Sequence, residues 1–401
     1  MTPELPVTFG KYQLLRRIAT GGMAEVFLAR SFGVEGFEKR LVIKRILPAL
    51  AQNPRFVSMF VNEAKISVCL NHPNIVQVYD LGRADEGGGD WYIAMEHIHG
   101  RDLTQIVRSL RRDSRLLPLP LAVYVVGAAL RGLSYAHART GADGQPLGLV
   151  HRDVSPHNLL VSFQGNVKLV DFGIARLAGV VESKGSSKPG GGKFAYMSPE
   201  QASGQPVDRR ADVFSAGIVL YELLVGHRLY ADPDPAKKLE RVRKAEIPDP
   251  RLENPEIPDQ LWGILQKALA RDPDDRYATA ETFEEDLRAF LYDQGLRADA
   301  ARMMEFLGEI YGAEMEQDPA ADNLNRLAED FARLQAGRTR TGDGSSMEAV
   351  SLSSREAMTS PGSGTEDVLP FSGRAREELK PVVVLIAEIC GHTDLPGLLD
   401  P

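Results

Sequence analysis

The stretch His151-Arg152-Asp153-Val154-Ser155-Pro156-His157-Asn158 decides how this chain is read. It lies behind an extended run, residues 147–150, and ahead of the apolar Leu159-Leu160-Val161, with a helical pattern ending at His137 in front. The loop carries two complementary groups. Asp153 can take a proton from an approaching hydroxyl, and Asn158 can offer an amide oxygen to a hard metal ion. An H-R-D triplet alone is common by chance. Followed five residues after its Asp by Asn158, and then by Asp171-Phe172-Gly173, it becomes a specific signal.

Working outward toward the N-terminus, residues 12–18 and 25–29 read as strands around Ala19-Thr20-Gly21-Gly22-Met23-Ala24. Adjacent glycines suit a tight turn whose backbone amides can approach phosphates. Leu41-Val42-Ile43-Lys44 is an extended apolar run ending on a lysine. Residues 54–70 have helical spacing, with Phe56, Met59, Phe60, Ala64 and Val68 on one face and Glu63 mid-helix. His72 has no ligand cluster beside it, so a packing or turn role suits it better than metal binding. Strands at 75–81 and 91–95 flank the hairpin mark Gly87-Gly88-Gly89, and Met95-Glu96-His97-Ile98-His99-Gly100 reads as a connector. A long apolar-faced helix at 119–138 runs into the turn-rich residues 140–146, a small exposed hairpin.

Toward the C-terminus, a strand at 166–171 leads to Asp171-Phe172-Gly173. Residues 174–196 are rich in Gly, Ser and Lys, a composition that cannot order itself by burial, and the segment closes at Met197-Ser198-Pro199-Glu200. Residues 212–223 are nearly all apolar and predict a helix buried on most sides. Asp212 at its start therefore needs partners. Arg271-Asp272-Pro273-Asp274-Asp275-Arg276-Tyr277 precedes a closing helix at 279–291.

In order and spacing these motifs resemble the bacterial, eukaryotic-like serine/threonine protein kinases over roughly residues 12–292. The resemblance implies an α+β bilobal fold, with an antiparallel-sheet small lobe carrying one main helix and a mainly helical large lobe. It implies ATP and magnesium as cofactors and protein Ser/Thr hydroxyls as acceptors. By this likeness Lys44, held by Glu63, would steady the nucleotide phosphates, Asn158 and Asp171 would hold magnesium, and Asp153 would act as base. Ala19, Gly21, Gly22 and Val26 would cover the nucleotide, although Ala19 and Ala24 replace the family's outer glycines. Val42 and Leu160 would belong to the same site. Met95 would be the gatekeeper, the backbone of Glu96 and Ile98 would hold adenine, and Asp102 would lie near the ribose. Asp212 would accept hydrogen bonds from the catalytic-loop backbone, and Arg276 would pair with Glu200.

Two departures bear on activity. Ser155 stands where most serine/threonine kinases carry Lys, and Lys193 stands where the family usually has Thr. A hydroxyl and an ammonium have changed places, so Lys193 is expected to reach the cleft and bond Ser155 or Asp153. Arg152 implies control by a phosphate on the segment from Asp171 to Glu200. That segment has no Thr, which leaves Ser183, Ser186 and Ser187 as sites, modified by autophosphorylation in trans. The alternative is a pseudokinase scaffold that binds nucleotide or protein partners; retention of Lys44, Glu63, Asp153, Asn158 and Asp171 opposes it. Ser198-Pro199-Glu200 with Arg276 opposes a small-molecule kinase, while Ser155 leaves tyrosine specificity open.

Composition is that of an ordinary globular protein, 43% hydrophobic and 25% charged, and the net charge of −8 argues against a nucleic-acid partner. Cys69 and Cys390 are the only cysteines, too few for a disulfide framework or a zinc set, which points to a reducing cytoplasm. The N-terminus lacks a signal-peptide pattern. The apolar residues 381–386 fall far short of the roughly 20 a spanning helix needs, so no membrane attachment is expected. The expected organisation is a lead at 1–11, a kinase domain at 12–292 and a helical extension at 293–336, with helical spacing at 298–311 and 323–334. A Ser/Thr/Gly-rich disordered linker at 337–378 and a short apolar tail at 379–401 complete it.

Overall fold

Alternating apolar side chains in the first hundred residues build a six-stranded antiparallel sheet with a different core on each face. The computed structural model describes residues 5–33, 38–84, 89–172 and 194–315. The strands are β1 (Val7–Phe9), β2 (Tyr12–Thr20), β3 (Ala24–Phe32), β4 (Glu38–Ile46), β5 (Val78–Arg83) and β6 (Trp91–Glu96), ordered β1-β2-β3-β4-β6-β5. Successive side chains on a strand point to opposite faces. On one face Tyr12, Leu14, Phe27, Ile43 and Ala94 form a core, closed where the Phe9 ring meets Tyr92 edge-on. On the other, Ala24, Ile46, Val78 and Ile93 pack against Phe60 and Ala64 of helix α1 (Pro54–Val68). This helix starts where its sequence dictates. Asn53 Oδ1 accepts from Arg55 N at 3.1 Å, and Pro54 takes the first position, where no N–H is needed.

Two boundaries differ from the sequence reading. Residues 1–11, set apart as a lead, contribute β1, paired with β2 from Val7↔Leu14 to Phe9↔Tyr12. The strand expected at 75–81 begins at Val78. Ile75 instead forms a single parallel bridge to Leu169, and Val76 N donates to Leu169 O at 2.9 Å. Residues that should extend a small-lobe strand are thus held by the large lobe.

The large lobe begins with a three-stranded sheet of β7 (Gly100–Asp102), β8 (Leu159–Ser162) and β9 (Val167–Leu169). Its helices are α2 (Leu103–Arg112), α3 (Leu119–His137), α4 (Pro199–Ala202), α5 (Arg210–Val225), α6 (Pro235–Lys244), α7 (Asp259–Ala268), α8 (Ala280–Asp293) and α9 (Ala300–Met315). Helix α5 is buried from Ala211 through Leu224, as its apolar run requires, and ends on Gly226 in the left-handed region at φ 77°. Helix α3 is long and apolar enough to cross a membrane, but it is mostly buried among α5, α8 and β9. The turn at 140–146 closes with an antiparallel bridge, Thr140↔Pro146. From the C-terminal extension, α9 lays Met303, Phe306, Leu307 and Tyr311 onto the same core. The second extension helix, the linker and the tail lie outside the described residues.

One buried ion pair fastens the lobe beneath the site. Arg276, with a fully buried side chain, grips Glu200 with two bonds of 2.8 Å each. Its other donors reach Ala270 O, Arg271 O and Arg210 O, so the guanidinium is fully satisfied. Burial works against the Glu200 charge, but Arg276 outweighs it and holds the carboxyl below its usual range. Removing the cation strands a buried carboxylate. Arg276→Met should therefore lose about 3–5 kcal/mol in equilibrium urea unfolding at neutral pH. The gap should narrow as pH falls below the ordinary carboxylate range, because a protonated Glu200 no longer needs the cation. A loss under about 1 kcal/mol would contradict this.

Candidate active site

The loop at 151–158 is shaped by a carboxylate from another element. Asp212, wholly buried near the start of α5, accepts from His151 N and Arg152 N at 2.7 Å each. His137 Nε2, on α3, reaches the same carboxylate at 2.8 Å. These bonds hold Arg152 in the left-handed region at φ 63°, a strained setting for a long side chain. His151 has its pKa lowered by burial, against the pull of Asp212 and Asp153. A neutral ring fits its contacts. Nε2–H donates to Val170 O at 3.1 Å, which leaves Nδ1 to accept from Asp153 N at 3.2 Å.

Asp153 and Asn158 face each other across this loop. Asn158 Nδ2 donates to Asp153 O at 2.8 Å and to Asp153 Oδ2 at 3.2 Å. With its nitrogen turned toward Asp153, the amide oxygen of Asn158 is left for another ligand. Ser155 is buried at the base of the short turn Pro156–Asn158, and its carbonyl accepts from Asn158 N at 3.0 Å.

Lys44 meets two carboxylates from separate elements. Its Nζ lies 2.7 Å from Glu63 Oε1 on α1 and 2.8 Å from Asp171 Oδ1 after β9. Burial opposes the lysine charge, but Asp171 and Glu63 outweigh it and raise its pKa, so the ammonium is secure. Burial pushes the Glu63 pKa up, with Lys44 opposing. Asp171, like Arg152, sits at positive φ, 57°.

The remaining predicted positions lie on the two sheets and on the connector between them. Register pairs Val26 with Lys44 and Val42 with Met95, so these four side chains share one face of the sheet. Leu160 pairs with both Asp102 and Lys168 on the large-lobe sheet. Lys168 Nζ reaches Glu96 Oε2 at 2.8 Å, joining that sheet to the connector. The Glu96 side chain is thus engaged, and Ile98 lies half-buried two residues on. Asp102 has a local task that the sequence reading missed: it caps α2, accepting from Gln105 N at 3.0 Å.

At the end of β2 Ala19 pairs with Val26, and Gly21 and Gly22 follow in the turn to β3. A Cβ added at Gly22 would meet nothing within 4 Å, and one at Gly21 only Ala24 O at 3.5 Å. Neither glycine is required by the chain's own packing, which fits a turn kept open for an outside group. Asn158 and Asp171 offer hard oxygen donors suited to magnesium. Among the described residues no three His, Cys, Asp or Glu could hold a metal ion. Lys193, Ser183, Ser186 and Ser187 lie outside the described residues. Reading the sequence also missed the roles of His137, His151, Lys168 and Gln201, whose Nε2 donates to Arg152 O at 3.2 Å. Their only signal was position beside a motif.

This geometry matches a known family. The model for the protein kinase domain covers residues 12–287. The chain belongs to the protein kinase family. This kinase is 44% identical to the tyrosine-protein kinase MasK of Myxococcus xanthus, over 76% of this chain and 47% of that relative. It is 35% identical to the serine/threonine-protein kinase PknB of Mycolicibacterium smegmatis, over 80% of this chain and 48% of that one. The kinase domain of Mycobacterium tuberculosis PknI superposes with a TM-score of 0.54 at 29% identity, covering 72% of this chain and 99% of that one. The kinase chain spans about half the length of the curated relatives it matches.

Proposed function

We propose that this chain is a serine/threonine protein kinase that transfers the γ-phosphoryl group of ATP to protein hydroxyls. The observation that carries the proposal is the meeting of Lys44 with Glu63 and Asp171 next to the loop that pairs Asp153 with Asn158, the two joined where Val170 N donates to Asn158 O at 3.0 Å. Lys44 would neutralise nucleotide phosphate charge, kept upright by Glu63. Asp153, its carboxylate steadied by Asn158, would orient the incoming hydroxyl and take its proton as the new P–O bond forms and ADP leaves. Asn158 and Asp171 would hold magnesium, whose contribution is to offset charge on the phosphate oxygens. The backbone of Glu96 and Ile98, with Val26, Val42, Met95 and Leu160, would hold adenine. Because the transition state of phosphoryl transfer is loose, positioning and charge neutralisation supply most of the rate.

A second reading, tyrosine specificity, is favoured by the name of the M. xanthus relative and by Ser155 in place of the usual lysine. Several relatives named as serine/threonine kinases and the Tyr196–Glu200 run favour the first. Incubation with labelled ATP, magnesium and a mixed protein substrate, followed by phosphoamino-acid analysis and site mapping, separates them. Phosphoserine or phosphothreonine is expected, with autophosphorylation in trans at one or more of Ser183, Ser186 and Ser187. Phosphotyrosine alone would overturn the serine/threonine reading.

The proposal extends to Lys193 as the cation that replaces the missing catalytic-loop lysine, bonded to Ser155 or Asp153. Lys193→Met should lower kcat on the order of a hundredfold, equivalent to about 3 kcal/mol of transition-state stabilisation. A kcat near wild type would end the exchange idea.

A further inference from the structure

Beside the catalytic loop lies a cavity of about 480 Å³ between α2 and the end of α5. Its lining includes Pro156 from the catalytic loop and Tyr196 from the segment leading into α4, so it opens next to where an acceptor peptide would lie. Four arginines line it, Arg108, Arg111 and Arg112 from α2 and Arg228 from just beyond α5, all solvent-exposed. The α2 arginines sit at i, i+3 and i+4 and therefore share one helix face.

Local stability does not account for the three arginines of α2. Like charges at that spacing repel by a few tenths of a kcal/mol per pair. Attraction to the helix C-terminus rewards Arg111 and Arg112 in the last turn, but not Arg108 a turn earlier. Arg228 comes from another element, where it bonds Tyr196 and lies close enough to oppose the rise in the Glu222 pKa, and it faces the same cavity. Among the described residues none of the three α2 arginines has an ion pair, whereas Arg101 and Arg115 on either side pair with Glu314 and Glu309 of α9.

Among the described residues the lining contains one carboxylate, and it is already occupied. Glu222 accepts from Tyr196 Oη at 2.6 Å and from Leu229 N at 3.0 Å. Burial pushes its pKa up to about 7, so even its charge is weakened near neutrality. Among the described residues, a basic substrate side chain entering here would meet four cations and no free acid. An anionic one would gain several charge-assisted contacts at once.

We propose that this groove selects protein substrates by an acidic segment flanking the phosphoacceptor, with Arg108, Arg111, Arg112 and Arg228 as the residues that determine specificity. The proposal rests on the protein kinase reading and names the substrate class for that site. Carboxylate side chains and phosphate esters share the required chemistry, and the test separates them.

The full chain is assayed with serine-centred peptides carrying Glu, phosphoserine, Ala or Lys at each flanking position. On one flank, kcat/KM should be about tenfold higher for Glu or phosphoserine than for Ala, with the difference in KM; tenfold is a modest share of what close charge pairs supply at interfaces. In Arg108→Glu/Arg112→Glu the ratio should collapse toward one and Lys peptides should gain. A response to phosphoserine alone would assign the groove to previously phosphorylated substrates, and a response to both would assign it to acidic segments generally. Equal efficiency across the panel in wild type, or a preference that survives the double reversal, overturns the proposal. If no peptide is phosphorylated, the kinase reading fails. Fluorescence anisotropy of the same labelled peptides then decides the groove independently: acidic peptides must bind more tightly than neutral ones, and the reversal must abolish the difference.

Discussion

The contact on which the rest of the site depends is the capture of two catalytic-loop amides by Asp212. A wholly buried carboxylate is costly unless every oxygen is bonded. Here His151 N, Arg152 N and His137 Nε2 satisfy it, and in return the loop is held with Arg152 at φ 63°. That strain persists because the anchor sits in α5, a helix buried along nearly its whole length. The start of α5 is fixed in turn by Arg276, which bonds Arg210 O while gripping Glu200. Loop, helix and ion pair form one rigid chain of contacts from the lobe interior to Asp153.

The opposing half of the site is joined differently. Lys44 comes from the sheet of the small lobe, Glu63 from its helix and Asp171 from the large lobe, so one ammonium ties three elements. A further polar link between the lobes is Lys168 with Glu96 on the connector. Both are ion pairs at the cleft, and the backbone of Ile75 and Val76 adds a further attachment at Leu169.

Much of this was legible in the sequence because local chemistry and global fold agree at the motifs. An Asp at the head of an apolar helix announces a buried ionic task by its own chemistry, whereas Lys44 and Glu63 were legible only through the family resemblance, because a lysine in an apolar strand and a glutamate mid-helix are ordinarily solvated. Other features were not legible, for physical reasons. β1 spans only Val7–Phe9, too short for a period of two to register, and it is recognisable only by pairing with β2. Val76 and Ile75 look like strand residues, yet the large lobe supplies their partner in Leu169. Asp102 reads as a ligand-facing acid, while Gln105 N makes it a helix cap. The arginine-lined groove joins α2 to Arg228, more than a hundred residues later, and only the fold brings them together.

The central claim, that Asp212 organises the catalytic loop for phosphoryl transfer, is tested most directly by comparing wild type with Asp212→Asn. Nearly isosteric Asn keeps one acceptor oxygen but puts an NH₂ group where a second must receive a backbone N–H. Single-turnover phosphoryl transfer and the Kd for ATP are measured on the same preparations. The account predicts a chemical step slowed on the order of a hundredfold with ATP affinity little changed, since the loop and not the nucleotide site is disturbed. A transfer rate near wild type in the folded variant, or a loss confined to ATP binding, would contradict it.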